Sequence, residues 1–286
     1  MSTLDAVVVQ PEPKRKKRRR LFTPGVTIAS AFILLILIAT LFPQLFSSFE
    51  PNRNDLSSAM LGPRAEHWFG TDQLGRDLFT RVIHGTRYSL TIGVGATAIA
   101  VVMGTLFGLL SGIGGKIIDT IFMRGVDIAL AFPELLLALI VIAIIGPGSV
   151  NSLFAIGIAG IPSYTRLVRS ETLVVRNAEY VEASRALGFK RRTITHRHIL
   201  PNVLGPVLVL STISVGTAMI AGASLSFLGL GPAAPTPEWG ALLSEGRNFL
   251  GTAWWISLFP GLAITLSVIS ITVVGRRLQA RFEGRH

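Results

Sequence analysis

The sequence predicts an all-α, polytopic membrane protein with six transmembrane helices. Half of its 286 residues are hydrophobic and only 15% are charged, whereas about 25% of an ordinary soluble chain is charged. The charged residues are clustered, and they leave five stretches that each exceed the roughly 20 apolar residues needed to cross a bilayer. These charge-free stretches are residues 21–49, 88–115, 135–165, 198–237 and 248–275.

Proline and glycine divide the longer stretches. Gly146-Pro147-Gly148 predicts a helix boundary, which separates a third span at about 117–145 from a fourth at about 149–168. A fifth span is expected at about 201–225, because the glycines and prolines between residues 229 and 237 exclude a regular helix there. Together with the first, second and last stretches, these make six spans.

The basic residues orient the spans, since lysine and arginine favour the cytoplasmic side. With six spans, twenty of the 27 basic residues fall on one side and six on the other, while Arg124 lies within the third span. The apolar stretch that follows the run Lys14–Arg20 is too long for a signal-peptide core, so we interpret it as an uncleaved first span. Both termini are therefore predicted to be cytoplasmic, which requires an even number of spans.

The predicted organisation follows from these boundaries. It comprises a disordered basic cytoplasmic tail (1–20), a first transmembrane helix (21–46), an external segment with an amphipathic helix (47–85), a core of five transmembrane helices (86–275) and a second cytoplasmic tail (276–286). A cytoplasmic elbow (170–200) lies within the core, between the fourth and fifth spans.

The external segment contains the predicted amphipathic helix. Asp72 is a candidate N-cap, and apolar residues follow it at helical spacing, namely Leu74, Leu78, Phe79, Val82 and Ile83. We expect this helix to lie at the membrane surface. A second external loop, from residue 229 to about 252, is rich in proline, glycine and tryptophan.

The cytoplasmic elbow is predicted to consist of two short helices. Gly188 suits the C′ position that ends the first helix, and Pro201 is expected to close the second. The elbow therefore protrudes from the membrane.

Two acidic residues lie inside the predicted third span. Asp127 and Glu134 are seven residues apart and would share one helix face, and acids within a membrane are candidates for function. Asp127 is expected to pair with Arg124 or to face a wetted cavity. For Glu134, beside Pro133, two interpretations stay open: a place on a translocation path, or burial against a partner helix.

Several functional classes are disfavoured. The chain has no cysteine, and therefore no disulfide framework or cysteine-based metal site, and it contains no Gly-x-x-x-x-Gly-Lys-Ser/Thr sequence for ATP. Ser224 lacks the following glycine and the later histidine of an intramembrane serine protease. His196 and His198 lie among basic residues that would repel a metal cation. We therefore predict a non-catalytic chain that binds no cofactor, no metal and, because its basic residues flank apolar runs, no nucleic acid.

The elbow carries the first family resemblance. It contains Glu182-Ala183-Ser184, three further residues, Gly188 and a spacer to Leu200-Pro201. This pattern resembles the Glu-Ala-Ala loop of binding-protein-dependent ABC importer permeases, with Ser184 in place of the second alanine and His198 in place of an isoleucine.

Three further strings resemble the dipeptide, oligopeptide and nickel permeases within that group. They are Gly70–Asp77, Arg176–Ala183, and Ser224–Gly231 together with Pro237–Gly240. The resemblance extends from about Phe22 to Gly275, and the chain is most similar to the second, C-type permease of the pair. It implies the core fold of a type I ABC importer permease.

The resemblance also implies a function and partners. A permease of this kind forms half of the translocation pathway for dipeptides or oligopeptides, which an extracytoplasmic substrate-binding protein delivers. A second, B-type permease completes the pathway, and two cytoplasmic ATPase subunits use ATP and Mg. The expected location is the bacterial inner membrane, and the lipid bilayer is itself a partner.

The candidate site residues fall into three groups. ATPase coupling is implied for the elbow, and an outer gate or a contact with the binding protein for the external strings. The two intramembrane acids are candidates for the translocation path. The groups are Glu182, Ala183, Ser184, Gly188, Leu200 and Pro201; Asp72, Arg76, Asp77 and Trp239; and Glu134 and Asp127.

Two alternatives stay open. The same architecture could import nickel chelates or glutathione, because family members with similar motifs differ in cargo. An ATP-independent secondary carrier is the other alternative, and it would normally show inverted repeats or several ionisable residues at midplane depth. The sequence has no internal repeat and only one predicted span that carries acids.

Overall fold

The computed structural model describes residues 24–283. The predicted basic tail (1–20), the start of the first span and the end of the second tail lie outside the described residues. Between residues 24 and 283 the chain forms ten α-helices: α1 (Pro24–Leu41), α2 (Leu78–Gly114), α3 (Lys116–Leu130), α4 (Glu134–Ile145), α5 (Ser149–Arg176), α6 (Glu179–Ala186), α7 (Arg191–Ile194), α8 (Leu200–Phe227), α9 (Trp239–Gly246) and α10 (Trp255–Glu283).

Four helical stretches in the described range are long and apolar enough to cross a membrane: α1, α2, the continuous stretch Arg191–Phe227 that contains α8, and most of α10. Helices α3 and α4 together make a fifth candidate, although they are bent by 94°. Helix α5 has 28 residues, but Arg166, Arg169 and Glu171 make its second half more polar. The prediction of six spans therefore stays a prediction, with α5 as the sixth element.

Helix α2 begins at the external segment. Asp77 is its N-cap and accepts a hydrogen bond from the backbone N–H of Thr80, so the predicted cap at Asp72 is wrong. The apolar residues 78–83 form the first turns of α2 and not a separate surface helix. With 37 residues, α2 is about 55 Å long, which exceeds the roughly 30 Å of a hydrocarbon core and leaves these first turns room outside it.

The predicted third span is broken, because α3 ends at Leu130 and α4 begins at Glu134. Pro133 has ψ 135°, an extended conformation, and a proline also disfavours the helical region for the residue before it. The prediction of one continuous helix over 117–145 is therefore wrong. Asp127 and Glu134 lie on different helices that meet at 94°, so they do not share one helix face.

Close packing of α2 against α5 forms the centre of the bundle. Gly104, Gly108 and Gly112 recur every fourth residue of α2, and a Cβ at these glycines would lie 2.3, 2.6 and 2.5 Å from side-chain atoms of Tyr164, Val168 and Thr172. Small residues at this spacing let two membrane helices approach closely. The glycines thus bring α5 against α2 despite its charged residues.

The predicted second helix of the elbow does not end at Pro201. A π-helical segment, Thr195–Ile199, joins α7 to α8, and the backbone N–H of Leu200 donates to the carbonyl of Thr195. Proline has no N–H to donate, and single π turns of this kind occur inside longer α-helical stretches. Pro201 therefore lies in the first turn of α8, inside a continuous helical stretch.

The two ends of the bundle differ in structure. The elbow end consists of α6, α7 and the π-helical segment. The loop end consists of residues 42–77 and 228–254, including α9, which lies within the predicted external loop. A cluster of buried residues fills the loop end, with Leu78, Trp239, Leu242, Trp255 and Ile256 at its centre.

Candidate functional site

The elbow presents one face of α6 to solvent. Glu182 and Ala183 are exposed, whereas Val181 is fully buried and Ser184 is nearly so. The Ser184 hydroxyl donates to the carbonyl of Tyr180 at 2.8 Å. Val181 packs in a core cluster with residues of α5 and α8, so the exposed face of α6 rests on a fixed base.

Gly188 ends α6 in the way the sequence predicts. Its φ is +79°, a left-handed conformation that glycine adopts without strain. The N–H of Gly188 donates to the carbonyl of Arg185 at 2.9 Å, and the N–H of Phe189 donates to that of Ser184 at 3.2 Å, which is the Schellman pattern. No atom lies within 4 Å of a Cβ built at Gly188. The backbone conformation, and not space, selects glycine here.

The elbow exposes several large apolar side chains, although most of its residues are polar. Leu187 is 78% exposed, Phe189 is 48% exposed and Tyr180 is 46% exposed. The side chain of Glu182 has no hydrogen-bond or ion-pair partner among residues 24–283. Grouped exposed apolar side chains mark interaction surfaces. Of the two remaining predicted coupling residues, Pro201 is exposed and Leu200 is half-buried.

A buried charge network occupies the loop end. One oxygen of Asp72 accepts from the N–H groups of Leu74 and Arg76 at 2.8 and 3.0 Å, and the other lies 2.6 Å from Nε of Arg76. Glu245, from α9, lies 3.2 Å from Arg76 and 3.5 Å from Arg81. The network therefore ties the loop before α2 to the helix α9, and the side chains of Asp72, Arg76 and Arg81 are at most 3% exposed.

Asp77 combines two roles in the same region. One carboxylate oxygen caps α2 through the backbone N–H of Thr80 at 2.8 Å, and the other lies 2.8 Å from Nδ1 of His67. Its side chain is 5% exposed. The aspartate fixes where α2 begins and holds the preceding loop against it.

Trp239 is also buried, at 2% exposure. Its indole N–H donates to the carbonyl of Val82 on α2 at 2.8 Å. The preceding Glu238 caps α9 through the N–H of Gly240 at 2.9 Å and accepts from the hydroxyl of Ser89 at 3.1 Å. All four predicted outer residues, Asp72, Arg76, Asp77 and Trp239, thus hold loops and helices of this chain together.

Glu134 lines a cleft between α2, α4, α5 and α8. The cleft has a volume of about 90 Å³, and its walls combine apolar residues with hydroxyl groups on Thr97, Ser163, Tyr164, Ser214 and Thr217. The carboxylate of Glu134 makes no hydrogen bond or ion pair with any residue in the described range. It is the first residue of α4, so the break at Pro133 decides where its carboxylate points.

Asp127 has a partner that differs from the predicted one. Its carboxylate lies 2.5 Å from the guanidinium of Arg166 on α5, and both side chains are more than half exposed. The predicted pairing with Arg124 is therefore wrong. A second pair, Asp119 with Arg169 at 2.6 Å, also joins α3 to α5, so the polar residues of α5 hold α3 in place.

Sequence analysis missed several of these residues because their partners are distant in the chain. Arg76 and Glu245 are separated by 169 residues, and no local pattern connects them. Tyr164 was missed as well, since nothing adjacent to it in sequence marks the cleft. The sequence did contain a signal for the α2–α5 contact, because glycines recur at every fourth position of α2.

The comparison with known families decides the class of protein. The family described as "Binding-protein-dependent transport system inner membrane component" matches residues 104–285, a range that includes the elbow, Glu134 and Trp239. The chain belongs to this family. The resemblance predicted from the motifs is thereby confirmed, and the chain is a multi-pass membrane permease.

Individual relatives agree with this family. The permease is 44% identical to the dipeptide transport system permease protein DppC of Alkalihalophilus pseudofirmus, over 93% of this chain and 86% of the relative. It is 41% identical to the probable D,D-dipeptide transport system permease protein DdpC of Escherichia coli, over 88% and 85%. It is 40% identical to the glutathione transport system permease protein GsiD of Pectobacterium atrosepticum, over 93% and 89%.

Solved structures show the same fold. A chain of the MetNI methionine ABC transporter in an inward-facing conformation matches with a TM-score of 0.57 and 20% identity, over 70% of this permease and 95% of that chain. A chain of an amino acid ABC transporter matches with a TM-score of 0.53 and 17% identity, over 72% and 94%. The all-α ABC permease fold predicted from the sequence is confirmed.

Proposed function

We propose that this permease forms half of the translocation pathway for dipeptides or oligopeptides in an ATP-driven importer. The observation that carries the proposal is the similarity over most of the chain to permeases named for dipeptide transport. The relative named for glutathione supports cargo that is itself a small peptide. Nickel chelates are the remaining alternative within the same architecture.

The proposed importer contains four further subunits. A B-type permease supplies the other half of the pathway, an extracytoplasmic binding protein delivers the peptide, and two ATPase subunits use ATP and Mg. This permease is proposed to be non-catalytic, since its sequence has no P-loop. The excess of basic residues at the elbow end supports a cytoplasmic elbow and cytoplasmic termini in the bacterial inner membrane.

We propose that the elbow transmits motion between an ATPase subunit and the spans. Glu182 is exposed without an internal partner, which suits a charge-assisted hydrogen bond to another subunit. Ala183 leaves room for close approach, and Leu187 and Phe189 supply apolar contact. The buried Val181 and the Schellman turn at Gly188 make the elbow stiff enough to pass a displacement on to α5 and α8.

The outer residues have an indirect role in this proposal. Asp72, Arg76, Asp77 and Trp239 are buried, so they support the surface that meets the binding protein instead of touching that protein. The direct contacts in this proposal are exposed side chains of the same external segment, such as Trp68 at 64% exposure. The polar faces near Glu134 and Asp127 line the pathway, because exposed charge in a membrane protein faces water or a partner.

The elbow provides the direct test. Peptide uptake is measured in proteoliposomes that contain the complex and its binding protein. The unmodified complex is compared with the Glu182→Lys and Glu182→Gln variants. We expect Glu182→Lys to reduce peptide uptake by about tenfold or more, because it reverses one charge-assisted contact, while Glu182→Gln retains most uptake. Unchanged uptake by Glu182→Lys contradicts the coupling role.

A second measurement separates the ATP-driven importer from a secondary carrier. ATP hydrolysis is blocked while the proton gradient is kept, and peptide uptake is followed. The proposal expects uptake to stop. Uptake that continues under these conditions would support an ATP-independent carrier.

A further inference from the structure

The cleft at Glu134 holds an acid that the bundle leaves without a cation. Three acids lie on the broken pair α3 and α4. Asp119 is paired with Arg169 and Asp127 with Arg166, whereas Glu134 has no ion-pair partner in the described part of the chain. An acid in a membrane is retained at a considerable free-energy cost unless a cation or water meets it. The charge of Glu134 is therefore open to water or to a cation from outside residues 24–283.

The walls of the cleft add hydrogen-bond acceptors around the carboxylate. Tyr164 is only 5% exposed, and its buried hydroxyl has no hydrogen-bond partner among the described residues. A buried hydroxyl without a hydrogen-bond partner is unfavourable, so this group is open to a ligand. Thr217 and Ser163 are exposed beside it on α8 and α5. One carboxylate and several hydroxyl oxygens thus converge on the same small space.

The size of the cleft limits what can enter it. A volume of about 90 Å³ holds several water molecules. The cleft therefore has room for the ammonium group of a peptide, which is similar in size to a water molecule. Gly160 forms part of the wall, and a Cβ there would lie 3.5 Å from a carboxylate oxygen of Glu134, so small residues keep the approach to the acid open.

We propose that Glu134 binds the cationic amino terminus of the peptide during its passage through the permease. The ammonium group has three N–H bonds: one donates a charge-assisted hydrogen bond to the carboxylate, and the other two donate to hydroxyl oxygens among Tyr164, Ser163 and Thr217. Asp127 does not serve this role, because Arg166 already neutralises it. The inference rests on the proposed function, since it assumes that peptides cross this permease.

The test measures peptide binding to the complete permease–ATPase complex in nanodiscs, without the binding protein. Dialanine and N-acetyl-dialanine are the probes, because acetylation removes only the amino-terminal charge. We expect the unmodified complex to bind dialanine at least about tenfold more tightly, as one charge-assisted hydrogen bond contributes roughly 1.5–3 kcal/mol. Glu134→Gln should abolish this preference and leave the affinity for N-acetyl-dialanine unchanged. Glu171→Gln, which neutralises an acid on α5 outside the cleft, should keep the preference.

Each other outcome overturns the inference. Equal binding of the two probes, no detectable binding of dialanine at millimolar concentration, or a preference that persists in Glu134→Gln excludes an amino-terminal site. Loss of subunit assembly in Glu134→Gln, with the preference intact in what remains assembled, would assign Glu134 to a cation of the partner permease. Uptake of dialanine by the unmodified transporter, measured separately, tests the proposed function, so the two can fail independently.

Discussion

The loop end and the elbow end of this permease handle charge in opposite ways. At the loop end, Asp72, Arg76 and Arg81 are buried and meet partners within the chain. At the elbow, the side chain of Glu182 is exposed and unpaired in the described range, and the side chain of Leu187 on the same segment is 78% exposed. The charged side chains of the loop end thus meet one another, whereas those of the elbow are open to solvent or to another subunit.

The difference shows that residues in family motifs can have two kinds of role, either in the stability of the fold or in a contact with another subunit. Both ends carry strings that are similar to family motifs, yet at the loop end those residues satisfy internal hydrogen bonds. Removing one of them should lower stability first. At the elbow, the same kind of change should leave the fold intact and affect the contact with another subunit. Four substitutions test this contrast, from the largest expected effect to the smallest.

The largest effect is expected for Asp72→Ala. The substitution leaves the partly exposed Glu245 as the remaining carboxylate beside the buried Arg76 and Arg81, and breaking a buried ion pair costs about 3–5 kcal/mol. Thermal unfolding of the purified complex and protease sensitivity of residues 42–77 measure the loss. Asp55→Ala is the matched control, because Asp55 lies in the same segment but is exposed, and its carboxylate accepts hydrogen bonds from the neighbouring Ser57 and Ser58, while its backbone bond to Leu74 survives the substitution. Equal stability of the two variants would contradict a self-contained loop end.

Gly188→Val should have the next largest effect. A β-branched residue at φ +79° costs about 1–2 kcal/mol, and it disrupts the turn that positions α6. We expect peptide uptake to fall several-fold while the complex still inserts and assembles. Gly188→Asn is the control, since asparagine tolerates the left-handed conformation, and it should retain most of the uptake. If both variants transport alike, the turn does not position the elbow.

Trp239→Phe isolates a single hydrogen bond at the loop end. It keeps the aromatic ring in the core but removes the N–H that donates to Val82. The expected loss is about 1 kcal/mol of unfolding free energy, seen as a lowered Tm. Trp254→Phe, at a 49% exposed tryptophan in the same region, should change the Tm by much less.

The smallest effect on stability is expected for Leu187→Ala. An exposed side chain contributes within about 0.5 kcal/mol to folding, so the Tm should not change measurably. Co-purification of the ATPase subunits should nevertheless weaken, because this surface lacks an internal partner. Leu187→Ala with normal ATPase association would place the coupling contact elsewhere on the elbow.

Local chemistry explains which elements could be predicted. The boundary at Gly146-Pro147-Gly148 and the end of α6 at Gly188 each depend on adjacent residues, and α5 does begin at Ser149 while Gly188 does adopt positive φ. The span over 117–145 was predicted as one helix because its hydropathy is continuous. Pro133 breaks this helix, and hydropathy alone does not reveal the effect of a single proline.

The site residues divide in the same manner. Glu182 and Gly188 were recognised because their spacing along the chain forms a pattern. The cleft at Glu134 was not recognised from the sequence. Its residues Thr97, Tyr164 and Ser214 lie on three different helices, and they meet only because the glycines of α2 let α5 approach. Likewise, Arg166 displaced Arg124 as the partner of Asp127, since α3 packs beside α5 and the side chains of α3 alone do not determine the pairing.

The sequence by itself determined that this protein is a helical membrane permease with a protruding elbow, because hydropathy, charge distribution and short motifs are local properties. Tertiary structure alone decided that the outer motif residues are buried and paired, and that Glu134 faces a polar cleft without a cation. The physical reason is that burial and pairing depend on which distant helices come into contact, and close packing between helices sets those contacts.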